Sequence, residues 1–155
     1  MKILVFADSH GNVTNMKRAA EEEQPDRIFH LGDMTRDAQA LAQAFPQIPL
    51  EYVCGNCDGY SDVPAQLIAD VEGRRVMLTH GHLYHVKLGI GALLEAARKA
   101  RVDAVLFGHT HEALCTRHDA LWVMNPGSIR DSWRATYGVL ETGGDGLTCH
   151  LMELK

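Results

Sequence analysis

Along the chain the hydrophobic pattern changes period several times. "KILVFA" (2–7) is a continuous apolar, β-branched run that reads as a buried strand. "VTNMKRAAEEE" (13–23) reads as a helix with acidic residues close to Pro25, and "DRIFHL" (26–31) as the next strand. A second helix is predicted over Asp37 to Phe45, followed by "LEYV" (50–53). After an irregular stretch, "QLIADV" (66–71) and "RRVMLT" (74–79) form a predicted hairpin that turns at Gly73. A helix over Ile90 to Ala100 and the strand "DAVLF" (103–107) come next. Beyond them "EALCTRHD", "ALWVMN", "ATYGVLET" and "GLTCHLMEL" are strand-like runs separated by "PGS" and "GGDG" turn signals. The alternation of the first two thirds predicts an α/β protein, and the tail is expected to be all-β and antiparallel.

Composition narrows the possibilities. With 155 residues, 46% of them apolar and 23% charged, the chain has the profile of one ordinary globular domain, and it shows no linker, repeat or low-complexity stretch. A single domain over 1–155 is therefore expected. The apolar run behind Met1 and Lys2 is only "ILVFA", too short for a signal-peptide core or a membrane span, which points to a cytoplasmic chain with no membrane partner. A formal charge of -5 without a basic run gives no footprint for strong nucleic-acid binding. The pair Cys54 and Cys57 in "CGNC" lacks the second close pair that a zinc site of this type needs, because Cys115 and Cys149 lie far apart.

Five strands end in the same chemistry. "KILVFA" runs into "DSHGN", "RIFHL" into "GDM", "LEYVC" into "GNCD", "RRVMLT" into "HGH" and "DAVLF" into "GHTH". Carboxyl ends of strands in α/β sheets converge on one crevice, and glycine there admits close approach of backbone and side chains. The convergent set is Asp8, His10, Asp33, Asn56, His80, His109 and His111. Taken singly, a Gly-Asp is ordinarily a turn and a strand-end histidine ordinarily a hydrogen-bonded core group. Together they weigh differently, since burying two carboxylates beside four imidazoles costs many kcal/mol unless cations neutralise them. Oxygen and nitrogen donors without an obligatory thiolate suit borderline divalent ions.

Other motifs fall away. "GIGALL" (89–94) lacks the third glycine of a dinucleotide fingerprint and reads as a helix start, while "HEALC" (111–115) fails as H-E-x-x-H because Cys115 stands four after His111. No phosphate-binding P-loop and no nucleophile elbow are present.

In this order "DSH", "GD", "GNCD", "HGH" and "GHTH" resemble the calcineurin-like metallophosphoesterases, and more narrowly their short bacterial and archaeal phosphodiesterase branch. The likeness spans essentially the whole chain, including "NPGS" (125–128). It implies a four-layer α/β/β/α sandwich of two mixed sheets flanked by helices. It also implies that Asp8, His10 and His111 hold one ion, that Asn56, His80 and His109 hold another, and that Asp33 bridges them. The cofactors implied are two divalent transition ions, manganese first, with nickel, iron, cobalt or zinc as alternatives.

On that reading the enzyme is a phosphodiesterase in which a hydroxide bridging the two ions attacks phosphorus directly, since paired ions clamp both the attacking and the leaving oxygen. The ions outweigh the charges of Asp8, Asp33 and the hydroxide, and the surplus attracts a small phosphate ester. Asn56 completes a ligand set without adding a further negative charge. The catalytic positions are then Asp33, Asn56, His82 and Cys57. His82 is read as a group that faces substrate or supports the ligands from behind, and His30, like His85, His118 and His150, as structural or solvated, with a place just before Gly32 from which it can orient Asp33. Cys57 stands where many members of the superfamily carry the histidine assigned to protonating the leaving group, and a thiol is a poor acid for an alkoxide, so low-pKa leaving groups are expected to react best unless His82 or a water supplies the proton. Two other readings stay open: a phosphomonoesterase or protein phosphatase using the same site, and a non-catalytic interaction subunit, because a retromer component shares this fold. A homo-oligomer is compatible with the resemblance.

Overall fold

The strand β1 (Lys2–Phe6) sends alternate side chains to opposite faces, and both faces are buried. Ile3 and Val5 pack in one apolar cluster with Val76, Leu78, Ala104 and Leu106, whereas Leu4 and Phe6 pack in another with Met16, Ala19 and Leu41. The first cluster lies between two sheets and the second between a sheet and its helices, which is why the sequence shows an unbroken apolar run and no alternation. The structure, a computed structural model, describes residues 1–59, 62–131, 133–144 and 146–155.

In the first sheet β1 pairs in parallel with β2 (Arg27–His30), which pairs in parallel with β3 (Leu50–Tyr52). On its other side β1 pairs antiparallel with β9 (Thr136–Gly143), and β9 with β10 (Gly146–Glu153). The second sheet has the order β4 (Gln66–Val71), β5 (Arg74–Thr79), β6 (Ala104–Leu106), β8 (Leu121–Asn125), β7 (Leu114–His118). Helices α1 (Val13–Glu23) and α2 (Thr35–Ala44) cover the first sheet through Met16, Ala19, Ala20 and Leu41. Helix α3 (Gly91–Ala100) covers the second through Leu93 and Ala97, which pack with Met77, Val105 and Val123. Both sheets are mixed and the layers run helix, sheet, sheet, helix, as expected. No helix among the described residues is long and apolar enough to cross a membrane.

One expectation is corrected. The tail is not purely antiparallel, because β8 pairs in parallel with β6 and only β7 runs against it. Burial explains the order. β8, "LWVMN", is the more apolar arm of its hairpin and is almost wholly buried, so it docks beside β6 and leaves half-exposed β7, with Arg117 and His118, at the edge. The tail also divides, one hairpin completing each sheet. Element ends shift by a residue or two: α2 begins at Thr35 instead of Asp37, and a single 3₁₀ turn over His82–Tyr84 was not anticipated.

Candidate metal centre

Three parallel strands of the first sheet deliver Asp8, His10, Asp33 and Asn56 on the loops that follow them, and two strands of the second deliver His80, His109 and His111. The crevice therefore opens where the strand ends of two facing sheets meet. Five of these seven residues have left-handed backbones: Asp8 (φ +53°), His10 (+41°), Asp33 (+57°), His109 (+70°) and His111 (+61°). Asp, Asn and His tolerate that region better than most side chains, yet each such residue costs about 1–2 kcal/mol. Strain concentrated on one set of polar side chains marks a site whose surroundings hold it in place.

The side chains form two groups whose ligand atoms all lie within 4.8 Å of one another, Asp8 with His10 and His111, and Asp33 with His80 and His109. The groups touch. Asp33 Oδ2 lies 3.3 Å from His80 Nε2 and 3.8 Å from His10 Nε2, and Asp8 Oδ1 lies 3.4 Å from His111 Nε2 and 3.8 Å from His80 Nε2. Asn56 Oδ1 stands 3.0 Å from His80 Nε2, which draws the seventh predicted residue to the second group. All seven sequence-predicted positions thus meet in one place.

Supporting bonds fix which atoms face the crevice. The Cys57 backbone N–H donates to Asp33 Oδ1 at 2.9 Å, leaving Oδ2 turned inward, and the His109 N–H donates to Asp8 Oδ2 at 3.0 Å, leaving Oδ1 inward. His80 donates from Nδ1 to the Leu31 carbonyl at 2.9 Å, so Nε2 faces the oxygens of Asn56 and Asp33. Asp8 Oδ1 and His10 Nε2 are buried without a hydrogen-bond partner. Acceptors that converge on one another with their lone pairs unpaired fit a cation.

Burial pushes the Asp8 carboxyl above its ordinary range, although His80 and His111 pull the other way. For Asp33 burial also pushes upward, but the hydrogen bonds from His80 and Cys57 win and hold it well below the usual carboxylate range. Burial pulls His80 down, yet Asp33 and Asp8 overcome it and raise the imidazole. His109 is pushed down to about 4 by burial and by His80, so it is a neutral donor at ordinary pH.

Glycine makes the close approach possible. A Cβ on Gly108 would sit 2.8 Å from both Ala7 Cβ and Asp8 Oδ2, and one on Gly55 would sit 2.8 Å from the Asp33 nitrogen.

Of the remaining predicted catalytic positions, His82 stands with its ring centroid 5.5 Å from that of His80, and its buried Nδ1 has no partner. Cys57 is exposed, with Sγ 3.6 Å from the Asn56 amide nitrogen. Burial and Asp33 raise the thiol further, in keeping with its expected weakness as an acid. His30 does not reach the Asp33 carboxylate; its ring nitrogens meet Ser9 Oγ and the Gly32 N–H.

Three supporting residues carried no role in the sequence reading. Asp58 accepts from the backbone N–H groups of Asp33, Met34, Thr35 and Gly55 at 2.6–3.1 Å, tying the Asp33 loop to the Asn56 loop. Ser128 Oγ donates to the Asp8 carbonyl at 2.8 Å, and Asn125 donates to the Gly108 carbonyl at 3.1 Å and to Thr110 Oγ1 at 2.9 Å. Both "GNCD" and "NPGS" hold these residues. Both aspartates at the start of α2 are committed elsewhere, Asp33 to the crevice and Asp37 to Ser9 and Gly11, so the helix amides take their cap from Asp58.

A two-sheet α/β sandwich with two metal-competent groups sharing one rim defines the metallophosphoesterase class. The chain belongs to the calcineurin-like phosphoesterase superfamily, whose domain matches residues 1–145. It is 31% identical over 132 residues to the probable metallophosphoesterase YsnB of Bacillus subtilis, covering 84% of this chain and 76% of the relative. It is 27% identical over 164 residues to phosphodiesterase MJ0936 of Methanocaldococcus jannaschii, covering 92% and 93%. Among solved structures, wild-type Vps29 of Entamoeba histolytica complexed with zinc superposes with a TM-score of 0.76, at 17% identity and over 100% of both chains, a likeness of fold alone.

Proposed function

We propose that the chain is a dinuclear metal-dependent phosphodiesterase, with Asp8, His10 and His111 holding one ion, Asn56, His80 and His109 the other, and Asp33 shared. The observation that carries this reading is the inward face of the crevice: unpaired lone pairs of Asp8 Oδ1 and His10 Nε2 on one side, His80 Nε2 with the oxygens of Asn56 and Asp33 on the other. Two divalent ions seated there would act as Lewis acids on a phosphate oxygen and would bring the pKa of a bound water to about 7.

The protein's own part is positioning. The Cys57 N–H turns Asp33 so that one oxygen serves both groups, and the His109 N–H turns Asp8 so that Oδ1 faces the first group. Asn56 adds an oxygen without charge, which leaves the crevice attractive to an anionic ester. His82 borders the second group and keeps a neutral ring, since burial and His80 lower its pKa. With Cys57 also a weak acid, little in the crevice protonates a leaving group, which favours esters of acidic alcohols. The archaeal relative named as a phosphodiesterase supports the diester class, and manganese heads the ions to test.

A metal-reconstituted screen across phosphomonoesters, linear diesters and cyclic nucleotides tests the reading. Aryl diesters are expected to turn over fastest with manganese, and Asp33→Asn is expected to weaken both ions and lower turnover by at least about a hundredfold with the fold retained. Substantial activity in Asp33→Asn would overturn the shared role. The likeness to Vps29 supports a second reading as an interaction subunit, and the same screen separates the two: that reading requires no turnover of any ester class by metal-loaded protein.

A further inference from the structure

Behind the crevice lies a second set of polar side chains that contributes nothing to it directly. His30 and Ser9 are fully buried and Asp37 is 4% exposed. The Gly32 N–H donates to His30 Nδ1 at 3.2 Å, which requires a lone pair there and places the imidazole proton on Nε2. That proton faces Ser9 Oγ at 2.9 Å, and the Ser9 hydroxyl donates to Asp37 Oδ2 at 2.8 Å. Asp37 Oδ2 also accepts the Gly11 N–H at 2.7 Å. Burial pushes His30 down to about 4, so the ring stays neutral and this pattern of donors persists at ordinary pH.

The placement of these bonds is informative. Ser9 lies between Asp8 and His10, both with left-handed backbones, and its hydroxyl turns away from their ligand atoms. Gly32 immediately precedes Asp33. One imidazole therefore joins the loop carrying two members of the first group to the loop carrying the shared carboxylate of the second. Asp37 fastens the first loop to α2, whose N-terminal amides are held by Asp58 together with Gly55 of the Asn56 loop. The Ser9 hydroxyl also lies 3.4 Å from the Asp33 carbonyl, and the Asp8 N–H donates to the Gly32 carbonyl at 3.1 Å, so His30 adds a buried side-chain link to loops that already touch.

We infer that His30, with Ser9 and Asp37, is a positioning relay that sets the separation of the two metal groups, and that it is required for seating a pair of ions more than for folding the chain. The inference rests on the dinuclear reading above. Each group keeps its own ligands without the relay, but the shared use of Asp33 demands that two loops hold one spacing, and His10 Nε2 is already 3.8 Å from Asp33 Oδ2 across that gap. Groups that orient metal ligands from behind are worth about 10- to 100-fold in metal affinity.

The test uses the full chain and manganese alone. Stepwise binding is titrated and the exchange coupling between paired manganese ions is read by electron paramagnetic resonance, alongside thermal unfolding of the metal-free protein. His30→Leu is expected to keep the first affinity within about threefold, to lose about 10- to 100-fold in the second, and to weaken the coupling signal. His30→Gln, which offers an acceptor to Gly32 and a donor to Ser9, is expected to recover most of that loss. A relay that only stabilised the fold would lower the unfolding midpoint and leave the ratio of the two affinities and the coupling unchanged, and that result in folded His30→Leu overturns the inference. If His30→Leu does not fold, Ser9→Ala replaces it under the same criterion, since it removes the central hydroxyl with little change of volume. A wild-type chain that takes up no manganese pair would overturn the dinuclear reading first, and this inference with it.

Discussion

At the residue scale, the proposed mechanism makes Cys57 the place where the chemistry of the bond broken would separate from the chemistry of the attack. Its backbone N–H is committed to Asp33, while the residue is exposed and its thiol, partly desolvated and beside the Asp33 charge, is harder to ionise than a free cysteine. Removing the thiol while keeping the backbone should therefore matter little: Cys57→Ala is expected to hydrolyse aryl diesters within about threefold of the parent, since the proton donor it lacks contributed little. Restoring an imidazole changes more, because a general acid near neutrality contributes about 10²- to 10⁴-fold. Cys57→His is thus expected to flatten the dependence of rate on leaving-group pKa across an aryl series, raising slow substrates and leaving fast ones alone. Equal slopes for parent and variant would show that leaving-group protonation is not what Cys57 forgoes.

At the element scale the start of α2 couples stability to the crevice. Met34, at its N-cap position, has φ +82° and no capping side chain, and the orphan amides of Met34 and Thr35 go instead to Asp58, more than twenty residues downstream. Asp58→Ala would release four N–H groups at once, and a lost cap alone costs about 0.5–2 kcal/mol. Chemical denaturation should show a loss of at least about 2 kcal/mol, with Asp58→Asn, which keeps one acceptor oxygen, falling between the two. This cap also explains why the helix start was misread. Local spacing places Asp37 as the first helical acid, but Asp37 is turned inward to Ser9 and Gly11 and the helix begins two residues earlier. A cap supplied from a distant loop leaves no mark in the residues that flank the helix.

At the scale of the whole molecule, what was legible follows from what a local pattern can encode. The strand ends carrying Asp8, Asp33, Asn56, His80 and His109 were readable because each joins an apolar run to polar ligands, and that junction is contiguous in sequence. Their division between two facing sheets was not, since a run buried on both faces looks the same whichever sheet receives it. The assembled crevice then has a pH signature. His80 is raised in the folded chain above its ordinary value near 6.5, so its stabilising contribution is fully present below that value and is lost as pH rises through its folded pKa. His109 and His30, held at about 4, act in the opposite sense: their contribution is present above 6.5 and is lost as pH falls toward 4. From these groups the metal-free protein should be most stable near pH 6.5 and lose stability on either side. On the proposed dinuclear reading, ions would invert the alkaline limb. They would require His80 and Asp8 without protons, so affinity would rise as pH climbs through the raised values of both groups, and ligand at a hundred times its Kd would stabilise the fold by about 2.7 kcal/mol. The increase in Tm on adding manganese should therefore be small at pH 6 and should grow steadily to pH 8, measured by calorimetry at fixed manganese. An increment that is constant over that range would mean that His80 does not exchange a proton for metal, and would remove His80 from the ligand set.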